Sequence, residues 1–218
     1  MTILFLITKS ESMAGIIACY TKLMFKTAIR KLKAGGVVAF PTETVYGIGA
    51  LISKPKAIAR IYKIKKRPRS KPLQVLVSSL RQAKELGIFN AEALRLAKKD
   101  WPGPLTLVVK KTKKVPAMVS PGKTVGLRVP AHRTVLDLIR KVGPIVATSA
   151  NISGEKSFLN SKEVTAGLKG LNYVLSGRVR LGKASKVLDT TSATTLRNYH
   201  WNPEETAKFI RRFPNNIP

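Results

Sequence analysis

Phe25, Ala28, Ile29 and Leu32 recur at the three- and four-residue spacing of one helix face, and Gly35 and Gly36 end that helix. The apolar run 37–40 then predicts a buried strand that empties at Pro41, a residue with no N–H to give to a central ladder. A polar loop follows with hydroxyls at Thr42, Thr44 and Tyr46, closing on Gly47 and Gly49, where a backbone can approach a neighbour without a Cβ in the way. Ser53 and Pro55 open a second helix with Ile58, Ile61 and Tyr62 inward, and it ends in the basic, proline-punctuated loop 65–72. Leu73, Val75 and Val77 alternate as a strand, and Leu76 on the other side predicts cover on both faces. Of the two short helices that come next, the second is capped by Asn90 and buried through Leu94, Ala97 and Trp101.

Beyond the rigid turn Trp101-Pro102-Gly103-Pro104, strands are predicted at 105–109, 124–129 and 145–148, with a helix through Val135, Leu138, Ile139 and Val142. A capping box at Asn160 and Glu163 starts another helix. Short strands at 173–175, 187–189 and 194–197 follow, and Asn202-Pro203-Glu204-Glu205 begins a last helix toward Phe209 and Ile210. Helices and strands mingle without strict alternation and without an internal repeat, which predicts one α/β or α+β domain around a mixed sheet. The first well-patterned helix starts near Met24, so residues 1–23 are expected to form a loosely ordered extension and 24–218 the domain. The apolar run 3–7 is too short to span a bilayer and has no basic residues in front of it.

Composition adds charge to this picture. Of 218 residues 44% are hydrophobic, enough for one good-sized core, but 40 lysines and arginines against 11 acidic residues leave a formal charge of +29. Such an excess favours nucleic acid, nucleotide or an anionic surface as partner without choosing among them. The single Cys19 excludes an internal disulfide framework, and with His132 and His200 as the only histidines no His/Cys metal cluster can be written. A reducing, cytoplasmic setting is the simplest expectation.

Three stretches carry chemistry. Between 54 and 81 lie ten basic residues and no acidic one, mostly a solvated face. Lys65 and Arg67 stand out: read as extended chain stiffened by Pro68 and Pro72, they share a side and suit a polyphosphate. In the stretch 147–154, Ser149 and Asn151 share a side at a strand's carboxyl end, where open sheets bind ligands; alone, this stretch reads equally as a turn. The same holds for 41–47. Arg128, inside a strand, needs an anionic partner or an exposed edge, while His132 and His200 read as surface or structural residues. Neither G-x-x-x-x-G-K-[ST], nor G-x-G-x-x-G, nor a nucleophile elbow occurs.

Five motifs in order, 41–49 (P-T-E-T-V-Y-G-I-G), 65–68 (K-K-R-P), 101–106 (W-P-G-P-L-T), 126–130 (G-L-R-V-P) and 149–154 (S-A-N-I-S-G), resemble the YrdC-type threonylcarbamoyl-AMP synthases. The resemblance runs from Phe25 to Arg197. It implies a YrdC/RibB-like twisted mixed sheet flanked by helices, with an open basic cleft, and a reaction joining L-threonine, bicarbonate and ATP into threonylcarbamoyl-adenylate and pyrophosphate for tRNA modification. It places ATP on Lys65, Arg67, Lys71, Thr124, Ser149, Asn151 and Arg197, with Lys65, Arg67, Ser149 and Asn151 as the catalytic group. It places threonine on Thr42, Thr44, Tyr46, Arg128 and Ser185. Magnesium would arrive with ATP, because carboxylates are too few for a dedicated cage. tRNA and tRNA-modification proteins are the implied partners, with no membrane. Leu76 stands where longer relatives carry a histidine, and the run 185–189 (S-K-V-L-D) replaces their S-T-V-V-D, both features of the short, single-domain type. The competing reading is an RNA-binding module without catalysis, its lysines tracking a phosphate backbone.

Overall fold

The computed structural model describes residues 13–192 and 194–197. The first half holds helices α1 (Met13–Lys33), α2 (Pro55–Lys65), α3 (Leu80–Leu86) and α4 (Ala91–Asp100). Between them run strands β1 (Val38–Pro41), β2 (Tyr46–Leu51), β3 (Gln74–Leu76) and β4 (Gly87–Ile88). The second half holds β5 (Leu105–Lys111), β6 (Thr124–Arg128), α5 (Arg133–Val142), β7 (Ile145–Ser149) and α6 (Ser161–Gly167), then β8 (Tyr173–Val174), β9 (Lys186–Asp189) and β10 (Thr194–Arg197). The strands form one sheet in the order β10-β9-β5-β6-β3-β7-β2-β1-β8, with β4 added to β5. It is mixed: β1 with β8, β3 with β6 and β5 with β9 are parallel, and the remaining pairs are antiparallel.

Period-two alternation sorts the side chains onto two faces. Val37 and Ala39, Ile48 and Ala50, Val75, Leu105, Leu107 and Val109, and Val125 and Leu127 point to one face, where they pack with Ile58 and Ile61 of α2, Ala83 and Leu86 of α3 and Ala93 and Ala97 of α4. Val38, Phe40, Leu51, Leu76, Ile145 and Ala147 point to the other and pack with Ala28 and Leu32 of α1 and Val135, Leu138 and Ile139 of α5. This second cluster covers only the β1-β2-β7-β3 side. Over β6, β5 and β9 the second face carries Thr106, Val108, Thr124, Gly126, Arg128, Val187 and Asp189 instead, and these line a cleft.

Local signals hold where they are strong. Asn90 accepts from Ala93 N–H at 2.8 Å as the α4 cap, and Asn160 with Glu163 closes a reciprocal cap on α6, Asn160 Oδ1 accepting Glu163 N–H at 2.9 Å. Leu94 of α4 is half-buried, and Ala93 takes the inward position beside Ala97. Two expectations change. The chain after Pro41 is a hairpin, not an open loop: Phe40 pairs with Gly47 and Pro41 with Tyr46, so both glycines lie in β2. What approaches those glycines is the Phe40 ring. A Cβ on Gly47 would stand 3.2 Å from Phe40 Cε2, and one on Gly49 would stand 2.6 Å from Ile145 Cγ2 and 3.1 Å from Phe40 Cε1. The first helix begins at Met13 rather than near Met24, and Met13, Ile17, Tyr20 and Leu23 on it are exposed. The apolar run 3–7, His200 and the helix expected from Asn202 lie outside the described residues.

Candidate functional site

The cleft has a volume of about 310 Å³. Eight of the expected site residues line it: Thr42, Thr44, Tyr46, Arg67, Thr124, Arg128, Ser149 and Ser185. Lys65 and Asn151 lie beneath its wall, the Lys71 side chain is exposed, and the Arg197 side chain lies outside the described residues. Among the described residues the cleft wall carries two arginines and one acid, Asp189. Its basicity is therefore local, and the lysine excess lies mostly on exposed positions.

Lys65 and Arg67 do not share a side. Lys65 ends α2, Lys66 turns the chain with a left-handed backbone (φ 50°), and the two side chains part. Lys65 is 1% exposed, and its ammonium donates to Ser149 O at 2.6 Å, Asn151 O at 2.7 Å and Asn151 Oδ1 at 2.8 Å, which uses all three of its protons. Burial, with the Arg67 guanidinium adding to it, draws that ammonium down to about 7. Ser149 and Asn151 do meet, the Ser149 hydroxyl donating to Asn151 Oδ1 at 2.7 Å. The Asn151 amide donates to Ile152 O at 2.9 Å and Glu155 O at 2.6 Å. Lys65 is thus a brace that ties the 149–151 loop to α2, and the Ser149 side is what reaches the cleft.

Arg67 donates from Nε to Lys71 O at 3.2 Å and from Nη2 to Pro72 O at 2.8 Å, which curls the 67–72 loop around it. Among the described residues it forms no ion pair, so its charge is uncompensated. Arg128 is the opposite case. It is buried in β6, and Nη2 donates to Glu43 Oε1 at 2.6 Å and Thr44 Oγ1 at 3.1 Å, while Nε donates to Gly103 O at 3.0 Å. The anionic partner that its strand position demanded is Glu43, 85 residues away in sequence.

The hydroxyl wall is built by a turn. Thr42 Oγ1 donates to Val45 O at 2.7 Å and sits 2.8 Å from Thr44 Oγ1, fixing the corner between β1 and β2. Tyr46 borders the cleft, but its side chain is fully buried in the core with Ile48 and Ala50, and its hydroxyl is directed to Gly177 O at 3.1 Å and Leu175 O at 3.3 Å, with burial pushing its pKa up. Across the sheet Thr106 donates to Gln74 Oε1 at 2.8 Å and lies 3.0 Å from the Ser185 hydroxyl, a polar ladder over the bare backbone of Gly126. Glu43, Gln74, Thr106, Ser120 and Asp189 were missed at the sequence level. The alternation of Thr106 and Thr124, Gly126, Arg128 with Leu105, Leu107, Val125 and Leu127 is the signal that marks most of this polar face.

Sheet order and cleft together define the class, a mixed α/β domain with a polar, arginine-bearing cleft on the half of its sheet that helices leave uncovered. The model of the Sua5/YciO/YrdC family, whose description is "Telomere recombination", matches residues 30–198, and the chain belongs to that family. It is 42% identical over 165 residues to the threonylcarbamoyl-AMP synthase of Pyrococcus abyssi, covering 73% of this chain and 48% of that protein. It is 33% identical over 179 residues to the threonylcarbamoyl-AMP synthase of Psychromonas ingrahamii, covering 78% of this chain and 94% of that protein. The chain thus spans about half the length of the Pyrococcus relative and nearly all of the Psychromonas one. The crystal structure of P. abyssi Sua5 complexed with L-threonine superposes with a TM-score of 0.77 at 39% identity, over 85% of this chain and 57% of that one. Among the described residues no helix is long and apolar enough to cross a membrane.

Proposed function

We propose that this chain is an L-threonylcarbamoyladenylate synthase, joining L-threonine, bicarbonate and ATP. The observation that carries the reading is the pair of unlike arginines in one cleft: Arg67 with its charge uncompensated, suited to a polyphosphate, and Arg128 neutralised by Glu43, suited to a carboxylate. The relatives' names and the threonine held by P. abyssi Sua5 support it.

Threonine would lie with its carboxylate on Arg128 and its hydroxyl and amine against the Thr42–Thr44 corner and Ser185. ATP would lie between Arg67 and the Ser149 loop, with Thr124 beside it. Lys71 and Arg197 belong to the same proposed ATP set, and Lys65 and Asn151 serve it by holding the loop. The amine adds carbon dioxide derived from bicarbonate and loses a proton to solvent, giving a carbamate. A carbamate oxygen then bonds to the α-phosphorus as the bond to the β-phosphate oxygen breaks, and pyrophosphate leaves. No protein nucleophile is needed, so the chain's contribution is positioning and charge stabilisation. Asp189, the one carboxylate among the described residues of the cleft wall, would be the residue to hold a magnesium ion arriving with ATP; its Oδ1 already accepts from Thr191 N–H and Oγ1, so one oxygen would remain for the ion. When bound, the ion would neutralise phosphate charge. A cytoplasmic location and delivery of the adenylate to tRNA-modification proteins complete the proposal.

Pyrophosphate release from ATP, with chromatographic detection of the adenylate, tests it. Release that requires both threonine and bicarbonate is expected, and Arg67→Ala is expected to lower kcat/KM by about 100-fold or more while leaving the fold intact. ATP binding without threonine-dependent release overturns the reading.

A further inference from the structure

Glu43 is the buried charge to which the chemistry above gives no role beyond its pairing with Arg128. It is 0% exposed within the turn between β1 and β2 and is not among the described residues that line the cleft; Oε1 faces Arg128, and Oε2 has no hydrogen-bond partner among the described residues. An isolated carboxylate at such a depth is costly and persists where the surroundings determine it. Here they do. The Glu43 carbonyl accepts from Leu181 N–H at 2.8 Å and Arg180 N–H at 3.3 Å, and Gly177 lies so close to Pro41 that an added Cβ would stand 2.5 Å from its Cγ. The segment 177–181 therefore straps the turn in place. His132, the residue before α5, has a buried Nδ1 that is likewise without a hydrogen-bond partner among the described residues, and the Glu43 charge acts on its ring.

The consequence lies at Arg128. A guanidinium has five N–H donors. Three are spent behind the wall, Nε on Gly103 O and both Nη2 protons on Glu43 and Thr44, so Nη1 is the edge with no bond among the described residues. The pair is also electrically neutral at 2.6 Å, whereas Arg67 has carbonyl partners alone. A phosphate chain with several negative charges is drawn to net positive charge; a single carboxylate needs an oriented donor edge and little more.

Resting on the threonine and ATP reading above, we propose that Glu43 is a positioning and specificity residue. It fixes the Arg128 guanidinium so that its Nη1 edge is presented to the cleft, and it cancels the Arg128 charge so that a monoanionic amino-acid carboxylate, rather than phosphate, occupies that end.

The test uses the full chain as wild type, Glu43→Gln and Glu43→Asp, with threonine and ATP dissociation constants from calorimetry and steady-state KM values. Glu43→Gln is expected to raise the threonine Kd and KM by about 10- to 100-fold, the size of one charged hydrogen bond, and to leave the ATP Kd within about twofold. In the same variant inorganic pyrophosphate should become competitive with threonine, whereas in wild type it competes with ATP alone. Glu43→Asp keeps the charge and should restore the exclusion of pyrophosphate. Unchanged threonine affinity in Glu43→Gln overturns the proposal. So does an equal loss for both ligands in both variants, the signature of a residue that merely holds the fold. Wild-type protein that binds ATP but not threonine removes the functional reading itself, and that outcome is visible before any substitution is made.

Discussion

Replacing Lys65 by methionine keeps the apolar stem of the side chain and removes the ammonium that ties α2 to the 149–151 loop. The side chain is 1% exposed, and three oxygens lose a donor: Ser149 O, Asn151 O and Asn151 Oδ1. Asn151 Oδ1 keeps the Ser149 hydroxyl at 2.7 Å, so the two backbone carbonyls bear the loss. At about 1–3 kcal/mol for each buried acceptor deprived of its partner, the gross cost is about 4 kcal/mol. Methionine needs no hydration and returns part of this, since burial of the ammonium is itself costly enough to draw its pKa down to about 7. A net destabilisation of about 2 kcal/mol is expected, read as a lower urea midpoint at unchanged slope. The sign of its pH dependence follows from the lowered value. Between about 7 and 10.5 the unfolded chain holds a proton on Lys65 that the folded chain has released, so unfolding takes up a proton and rising pH stabilises the wild type across that window. The methionine variant lacks this gain, and its deficit should widen as pH rises. With the loop unanchored, the KM for ATP should rise as well. A midpoint within about 0.5 kcal/mol of wild type would refute the brace, whereas a deficit that stays flat over the window would refute the lowered pKa alone, since an ammonium that keeps its three acceptors stays protonated.

Two further outcomes follow from the same geometry. Gly126→Val places a side chain on the cleft floor, where its Cβ stands 3.2 Å from Thr106 Cγ2 and 3.6 Å from Gln74 Cβ; calorimetry should show threonine and ATP binding lost, with stability changed by about 1 kcal/mol or less, since valine suits a strand. Burial pulls the His132 imidazole below its ordinary 6.5, with the Glu43 charge and the Arg178 carbonyl opposing the pull and Arg180 aiding it. The folded chain therefore releases this proton more readily than the unfolded one, and the stability it contributes above 6.5 is lost as pH falls through the folded value. Thermal melts of His132→Gln across that range should show a shallower acid-side decline than wild type, and equal slopes would count against it.

Much of the chain was legible one segment at a time. The helix caps at Asn90 and Asn160, Pro55 at the first helical position and the alternation of Val75 with Leu76 are local matters of hydrogen-bond supply and of which side chains must leave water, and each is found in place. The five motifs, in order, were enough to identify the family. Two local readings failed for a physical reason. Tyr46 to Leu51 hides its strand because glycine carries no pattern, and the reason for glycine there, the Phe40 ring lying across both, belongs to the neighbouring strand. Lys65 and Arg67 were read as extended chain, but α2 continues through Lys65 and the left-handed Lys66 swings Arg67 away.

The residue types, their strand faces and the charge excess are thus properties of the sequence, because periodicity and capping act over a few residues. The site is not. Whether Arg128 is paired, which of two arginines keeps a net charge, and which donors Lys65 has left depend on contacts across 84 to 86 residues that form only when β1, β2, β6 and β7 enter one sheet. The cleft itself exists because α1 and α5 cover one half of the second sheet face and not the other. Alternation assigns a residue to a face, and only the packing of helices decides whether that face meets a core or a ligand.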